Sequence, residues 1–141
     1  MARSLALLLF CVAGGAAAQD VTLKFSHFLG PQSFFQRDVA EPFAQRLSEK
    51  TSGKAKVQTY DGTSPYGDVL KQGAQAKDGT VDIALGLRGA EGERFPGTSV
   101  IELPFVVRDS QSGSSALWGL YKTGALDKEY ADYKVLALFV H

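Results

Sequence analysis

Three short stretches, Val21–His27, Lys54–Tyr60 and Val81–Leu87, alternate apolar and polar residues, and the segments between them are long enough to hold helices. Few folds accommodate that order. Parallel strands need a crossover of about a dozen residues or more, so repeated strand, helix, strand predicts a parallel sheet covered by helices on both faces. Val21, Leu23 and Phe25 make the inward face of the first strand; Ala55, Val57 and Thr59 share a face of the second; Val81, Ile83, Leu85 and Leu87 share a face of the third. Lys134–Val140 is an almost unbroken apolar run, which predicts a fourth, central strand buried on both sides.

The intervening segments carry helix signals. Ser33 caps a helix to Lys50 with Phe35, Val39, Phe43 and Leu47 as its stripe, and Pro42 predicts a break or restart at Glu41. Ser64-Pro65 opens a helix to Lys77 that packs through Val69, Leu70, Gly73 and Ala74. Asp109 or Ser110 caps another carrying Leu117, Trp118 and Tyr121, with a short helical piece at Leu126 to Tyr130. Between Arg88 and Ile101 the residues Gly89, Gly92, Pro96 and Gly97 predict a loop without regular structure, after which Ile101 to Phe105 resumes the apolar pattern and Pro104 closes it. A long permissive loop at the carboxyl end of a buried strand is where open α/β sheets place ligands.

The amino terminus has a different character. Arg3, the apolar run Leu5 to Val12 and the small residues Ala16 to Ala18 read as a cleavable export signal over residues 1–18, too short to span a bilayer. The only cysteine, Cys11, lies inside it, and Phe10 is too large for the residue that precedes a lipoprotein cysteine. The part that remains, 19–141, is thus expected in the periplasm without a disulfide or membrane insertion, standing on its core alone. Fifteen basic and fifteen acidic residues give zero formal charge, which argues against nucleic acid as a partner.

Parallel strands bring their carboxyl ends to one edge, which gathers His27, Tyr60 with Asp61, Leu87 with Arg88, and His141. The helix beginning near Ser33 would aim free amides at the same edge, and Arg88 could hold a carboxylate through two hydrogen bonds. Each has a plainer reading. His27 could be a hydrogen-bonded core residue, Arg88 could pair with Glu91 or Glu93, Tyr60 and Asp61 could form a turn, and Ser33 could be a cap alone. Enzyme signatures are missing: there is no G-x-S-x-G, no phosphate loop, no G-x-G-x-x-G and no H-E-x-x-H. Glu91 and Glu93 read as solvated loop carboxylates rather than an acid–base pair. No cofactor or metal is expected.

Five motifs in series, Leu23-Lys24-Phe25-Ser26-His27-Phe28-Leu29-Gly30-Pro31, Glu41-Pro42-Phe43-Ala44, Asp78-Gly79-Thr80-Val81-Asp82-Ile83, Arg94-Phe95-Pro96 and Glu102-Leu103-Pro104-Phe105, resemble the substrate-binding proteins of tripartite ATP-independent periplasmic (TRAP) transporters. Leu138-Phe139-Val140-His141 is similar to that family's strand entering the hinge. The resemblance implies a two-lobed periplasmic-binding-protein-like receptor, not an enzyme, that closes on a small organic carboxylate and delivers it to membrane subunits driven by an ion gradient. It implies that 19–141 forms the first lobe, truncated before the second, and that the family's carboxylate-clamping arginine lies beyond His141. The first-lobe wall is then implied to come from His27, Phe28, Leu87, Arg88 and Gly89, with Tyr66 and Gly67 beside it, where members usually carry Leu-Gly-Gly in place of Pro65-Tyr66-Gly67. Without a second lobe, weak binding or none is expected of this chain alone. The competing expectation is a stand-alone exported interaction module using the same edge.

Overall fold

The computed structural model describes residues 20–140, so the expected export signal and His141 lie outside the described residues. Strand β1 (Val21–His27) occupies the middle of a sheet ordered β2-β1-β3, with β2 at Ala55–Tyr60 and β3 at Ile83–Leu85. Both neighbours run parallel to it: Ser26 stands opposite Tyr60 on one side, and His27 opposite Leu85 on the other. The predicted parallel topology is therefore the observed one, and the strand tips share an edge.

Pro42 shapes the crossover from β1 to β2. Lacking an N–H, it cannot continue a helix through Asp38, and its ring would meet that carbonyl at a cost of about 3 kcal/mol. The chain widens instead into a π-helical turn at Gln36–Ala40, with the Glu41 N–H reaching back to Gln36 O, and restarts as α1 (Glu41–Lys50) with Pro42 in the first turn. The break falls at Glu41, as the sequence predicts. Ser33 caps the beginning, its Oγ accepting from the Gln36 N–H at 3.2 Å. Phe35 is buried and meets Phe25 edge-on at 6.0 Å, but Val39 of the expected stripe is exposed.

The opposite face of β1 is polar. Ser26 Oγ donates to Gln72 Oε1 at 2.7 Å, and Gln72 Nε2 donates to the carbonyls of Tyr66 and Asp68, so a wholly buried glutamine links sheet, turn and helix α2 (Gln72–Lys77). This corrects the second predicted helix. Residues from Ser64 to Lys71 stay in turns, because Ser64 and Asp68 bond the amides two residues ahead, and Leu70 is exposed while Gln72, Gly73 and Gln75 are buried.

The region after β3 also departs from expectation. Arg88–Glu91 and Val100–Glu102 form 3-10 turns and Pro96–Ser99 forms the short helix α3, while Leu103 and Phe105 are exposed. Leu126 to Tyr130 forms successive turns. The run at Lys134–Val140 enters no ladder: Val140 N–H donates to Ser114 Oγ, and Leu136 and Phe139 are exposed. Apolarity states a demand for burial and does not specify a pairing edge, so the run packs its Val135, Leu138 and Val140 on the cluster Phe95, Leu117, Leu126 and Tyr130 instead.

Helix α4 (Ser110–Lys122) begins where Asp109 was expected to cap it, the carboxylate accepting from the Ser112 N–H at 2.7 Å. That bond holds the Asp109 carboxyl below its usual range. A depressed acid contributes stability that is present above the unfolded value and lost as pH falls through the folded one. Acid unfolding followed by circular dichroism should therefore be shallower below about pH 4 for Asp109→Asn, since asparagine still caps but cannot titrate. An unchanged acid slope would contradict this.

Candidate functional site

β1 and β3 deliver their tips side by side, and a cavity of about 900 Å³ runs along the apolar face of the sheet, from Leu23 and Leu47 past Phe25 and Leu85 to those tips. Of the residues singled out from the sequence, Phe28, Leu87 and Arg88 line it, as do Gly86 and Glu102. Gly89 instead lines a smaller hollow of about 500 Å³ formed by Leu70 and residues 89–94. His27, Ser33, Tyr66 and Gly67 line neither.

Each of those four has a place within the fabric. His27 is fully buried and bonded to Gln36. Ser33 serves the helix start. Tyr66 packs edge-on against Tyr60 at 4.8 Å. Gly67 is buried so closely on Gly62 that a Cβ would lie 2.5 Å from that backbone carbonyl oxygen.

Arg88 has the chemistry an anion site requires. Its guanidinium carbon lies 4.2 Å from the centre of the Phe95 ring, a cation–π contact that seats a charge with little hydration. Glu91 is its nearest carboxylate at 3.8 Å, too far for a hydrogen bond. Among the described residues its guanidinium has only loose partners, the Glu91 carboxylate and the Tyr130 hydroxyl, which leaves N–H donors for an oxygen ligand.

Two glutamates hold the surrounding loop. Glu91, expected to be a solvated carboxylate, is 8% exposed and accepts from the Gly73 N–H at the start of α2 at 3.1 Å. Glu129 accepts from the Gly97 and Thr98 amides and the Thr98 hydroxyl at the start of α3. Thr98 Oγ1 also lies 3.1 Å from the Tyr130 hydroxyl, which burial pushes above the usual tyrosine range. A loop expected to be irregular is thereby fixed at both ends.

Sequence reasoning missed Gly86. A Cβ there would overlap an Arg88 guanidinium nitrogen, so Arg88 rests on the space a side chain would fill. Because that nitrogen ends a flexible side chain, Gly86→Ala should displace it at little cost to the fold. The unfolding midpoint should move by less than about 1 kcal/mol equivalent while the Phe95 ring resonances shift. Unmoved resonances would place Arg88 elsewhere.

The family model for bacterial extracellular solute-binding protein, family 7 (DctP), matches residues 25–141. The chain is 32% identical over 124 residues to the outer membrane transporter protein TsaT of Comamonas testosteroni, covering 87% of this chain and 36% of that protein. A solved TRAP solute binding protein from a marine metagenome, specific for aromatic acid ligands and holding 3-hydroxybenzoate, superposes with a TM-score of 0.80 at 30% identity, over 87% of this chain and 38% of its own. Another, from Rhodoferax ferrireducens with copurified benzoate, gives 0.77 at 36% identity over 86% and 37%. The chain spans little more than a third of the length of these relatives.

Proposed function

Because the chain belongs to the bacterial extracellular solute-binding proteins of family 7, we propose that it supplies one wall of a periplasmic receptor that captures a small organic carboxylate for the membrane subunits of a TRAP transporter. The family is one of binding proteins rather than catalysts, and this reading involves no turnover. Residues 19–141 then constitute the first lobe of the receptor.

The observation that carries the reading is the state of Arg88. Its donors are held only loosely, by Glu91 and the Tyr130 hydroxyl, its charge is seated on an aromatic face, and it lines the same cavity as Phe28 and Leu87. A carboxylate would take two parallel bonds from such a fork, while Phe28 and Leu87 offer contact to an apolar body. That combination suits an aromatic acid, the ligand class of the marine metagenome and Rhodoferax proteins.

The test is a chimera in which residues 20–140 replace the matching part of the Rhodoferax benzoate-binding protein, titrated calorimetrically with benzoate and 3-hydroxybenzoate. Micromolar binding is expected, with Arg88→Ala weakening it by about 10- to 100-fold, the cost of charge-assisted hydrogen bonds. A folded chimera silent to both acids at millimolar concentration would overturn the proposal.

A further inference from the structure

Four polar side chains meet beneath the carboxyl tip of β1, and one arrangement of their protons fits the distances. Gln36 Nε2 lies 3.0 Å from Glu41 Oε1 and 3.2 Å from Thr59 Oγ1. An ionised carboxylate only accepts, so the amide nitrogen of Gln36 must face Glu41, and turning the amide over would set two oxygens against each other. Gln36 Oε1 then faces His27 Nε2 at 2.6 Å. A carbonyl oxygen cannot donate, so the proton of that bond belongs to His27 Nε2. His27 Nδ1, in a side chain with no exposure, finds no partner among the described residues.

We propose that Gln36 is a positioning residue which, held by Glu41 and Thr59, fixes His27 as the neutral Nε2–H tautomer and leaves its Nδ1 an acceptor only. The π-helical turn makes this possible. Gln36 opens that turn, its own N–H is tied to Ser33 Oγ, and the turn returns the chain so that Glu41 stands beside the Gln36 amide. The charged groups around the cluster are Glu41 at the start of α1 and Asp61 after β2. The Asp61 carboxyl is held low chiefly by the Thr63 hydroxyl and amide.

The consequence deepens the receptor reading and takes its functional meaning from it. A neutral imidazole with only an acceptor free has nothing to offer a carboxylate; it suits a hydroxyl or N–H. Positive charge on the proposed wall therefore falls to Arg88, while His27 fixes the strand tip from which Phe28 departs.

Imidazole nitrogen NMR on the ¹⁵N-labelled chain tests this, with His141→Asn removing the other histidine. At pH 7, His27 should show a protonated Nε2 and a bare Nδ1 in a single tautomer. Glu41→Gln, at an exposed position, lets the Gln36 amide turn over and should bring in the Nδ1–H tautomer. Gln36→Met should speed exchange of the Nε2 proton by at least about tenfold. A wild-type imidazolium or Nδ1–H form at pH 7, or a tautomer and exchange rate untouched by both variants, would overturn the proposal. If Gln36→Met does not fold, Glu41→Gln decides alone. Failure of the benzoate chimera would leave this result standing, so the two readings fail separately.

Discussion

Phe95→Ala should lower stability by about 3–5 kcal/mol, the usual cost of emptying a fully enclosed phenylalanine site. Phe95 has no exposed surface, packs 5.2 Å from Tyr130 and 5.8 Å from Tyr133 between ring centres, and anchors the cluster containing Leu117 and Leu126. Pro96 and the bonds from Gly97 and Thr98 to Glu129 hold the neighbouring backbone, so it cannot collapse into the hole. For a chain of this length the melting temperature should fall by roughly 10–20 °C. Phe95→Leu, which keeps most of the apolar volume, should cost about 1–2 kcal/mol while removing the face on which Arg88 rests. The pair thus separates two roles: both variants should weaken carboxylate binding by the chimera, and only alanine should threaten the fold. A loss below about 1 kcal/mol for Phe95→Ala would mean that this cluster is not a core.

The contrast between what was legible and what was not comes from the range of the forces involved. β1, β2, the restart at Glu41 and the Asp109 cap rest on local rules of alternation, proline geometry and a carboxylate near its own helix amides, and they stand where those rules place them. The errors are all long-range. Ser64-Pro65 has the chemistry of a helix start, yet Ser26 from another strand recruits Gln72, and helix begins only there. Glu91 sits among glycines and charges that look solvated, and only the fold reveals Gly73 as its partner, 18 positions earlier. The Lys134–Val140 run demanded burial and obtained part of it without a ladder. Within the candidate site, Leu87 and Arg88 follow from strand direction, which aligns strand tips, whereas Phe28 was expected only from the family resemblance. Gly86, Phe95 and Gln36 were not legible, since the first two act through Arg88 and the third through His27. Phe95 had a faint signal in the Arg94-Phe95-Pro96 motif, but that motif does not say which cation the ring would carry.

Glu91 gives the second large effect, because removing it leaves several groups without compensation at once. Its side chain is 4% exposed and lies 3.8 Å from Arg88 and 3.7 Å from Arg94. Those separations are ion pairing rather than hydrogen bonding, whereas both carboxylate oxygens accept from the Gly73 N–H. Glu91→Ala should cost about 2–4 kcal/mol: breaking a buried pair and orphaning a buried amide would reach the upper end, and partial hydration of Arg94 lowers it. Glu91→Gln retains an acceptor for Gly73 and loses only the charge, so about 1–2 kcal/mol is expected, measured by denaturant unfolding. The order of the two variants is decisive. If glutamine proved as damaging as alanine, the two arginines rather than the Gly73 amide would be what Glu91 is there to satisfy, and the loop between β3 and α3 would be held by charge alone.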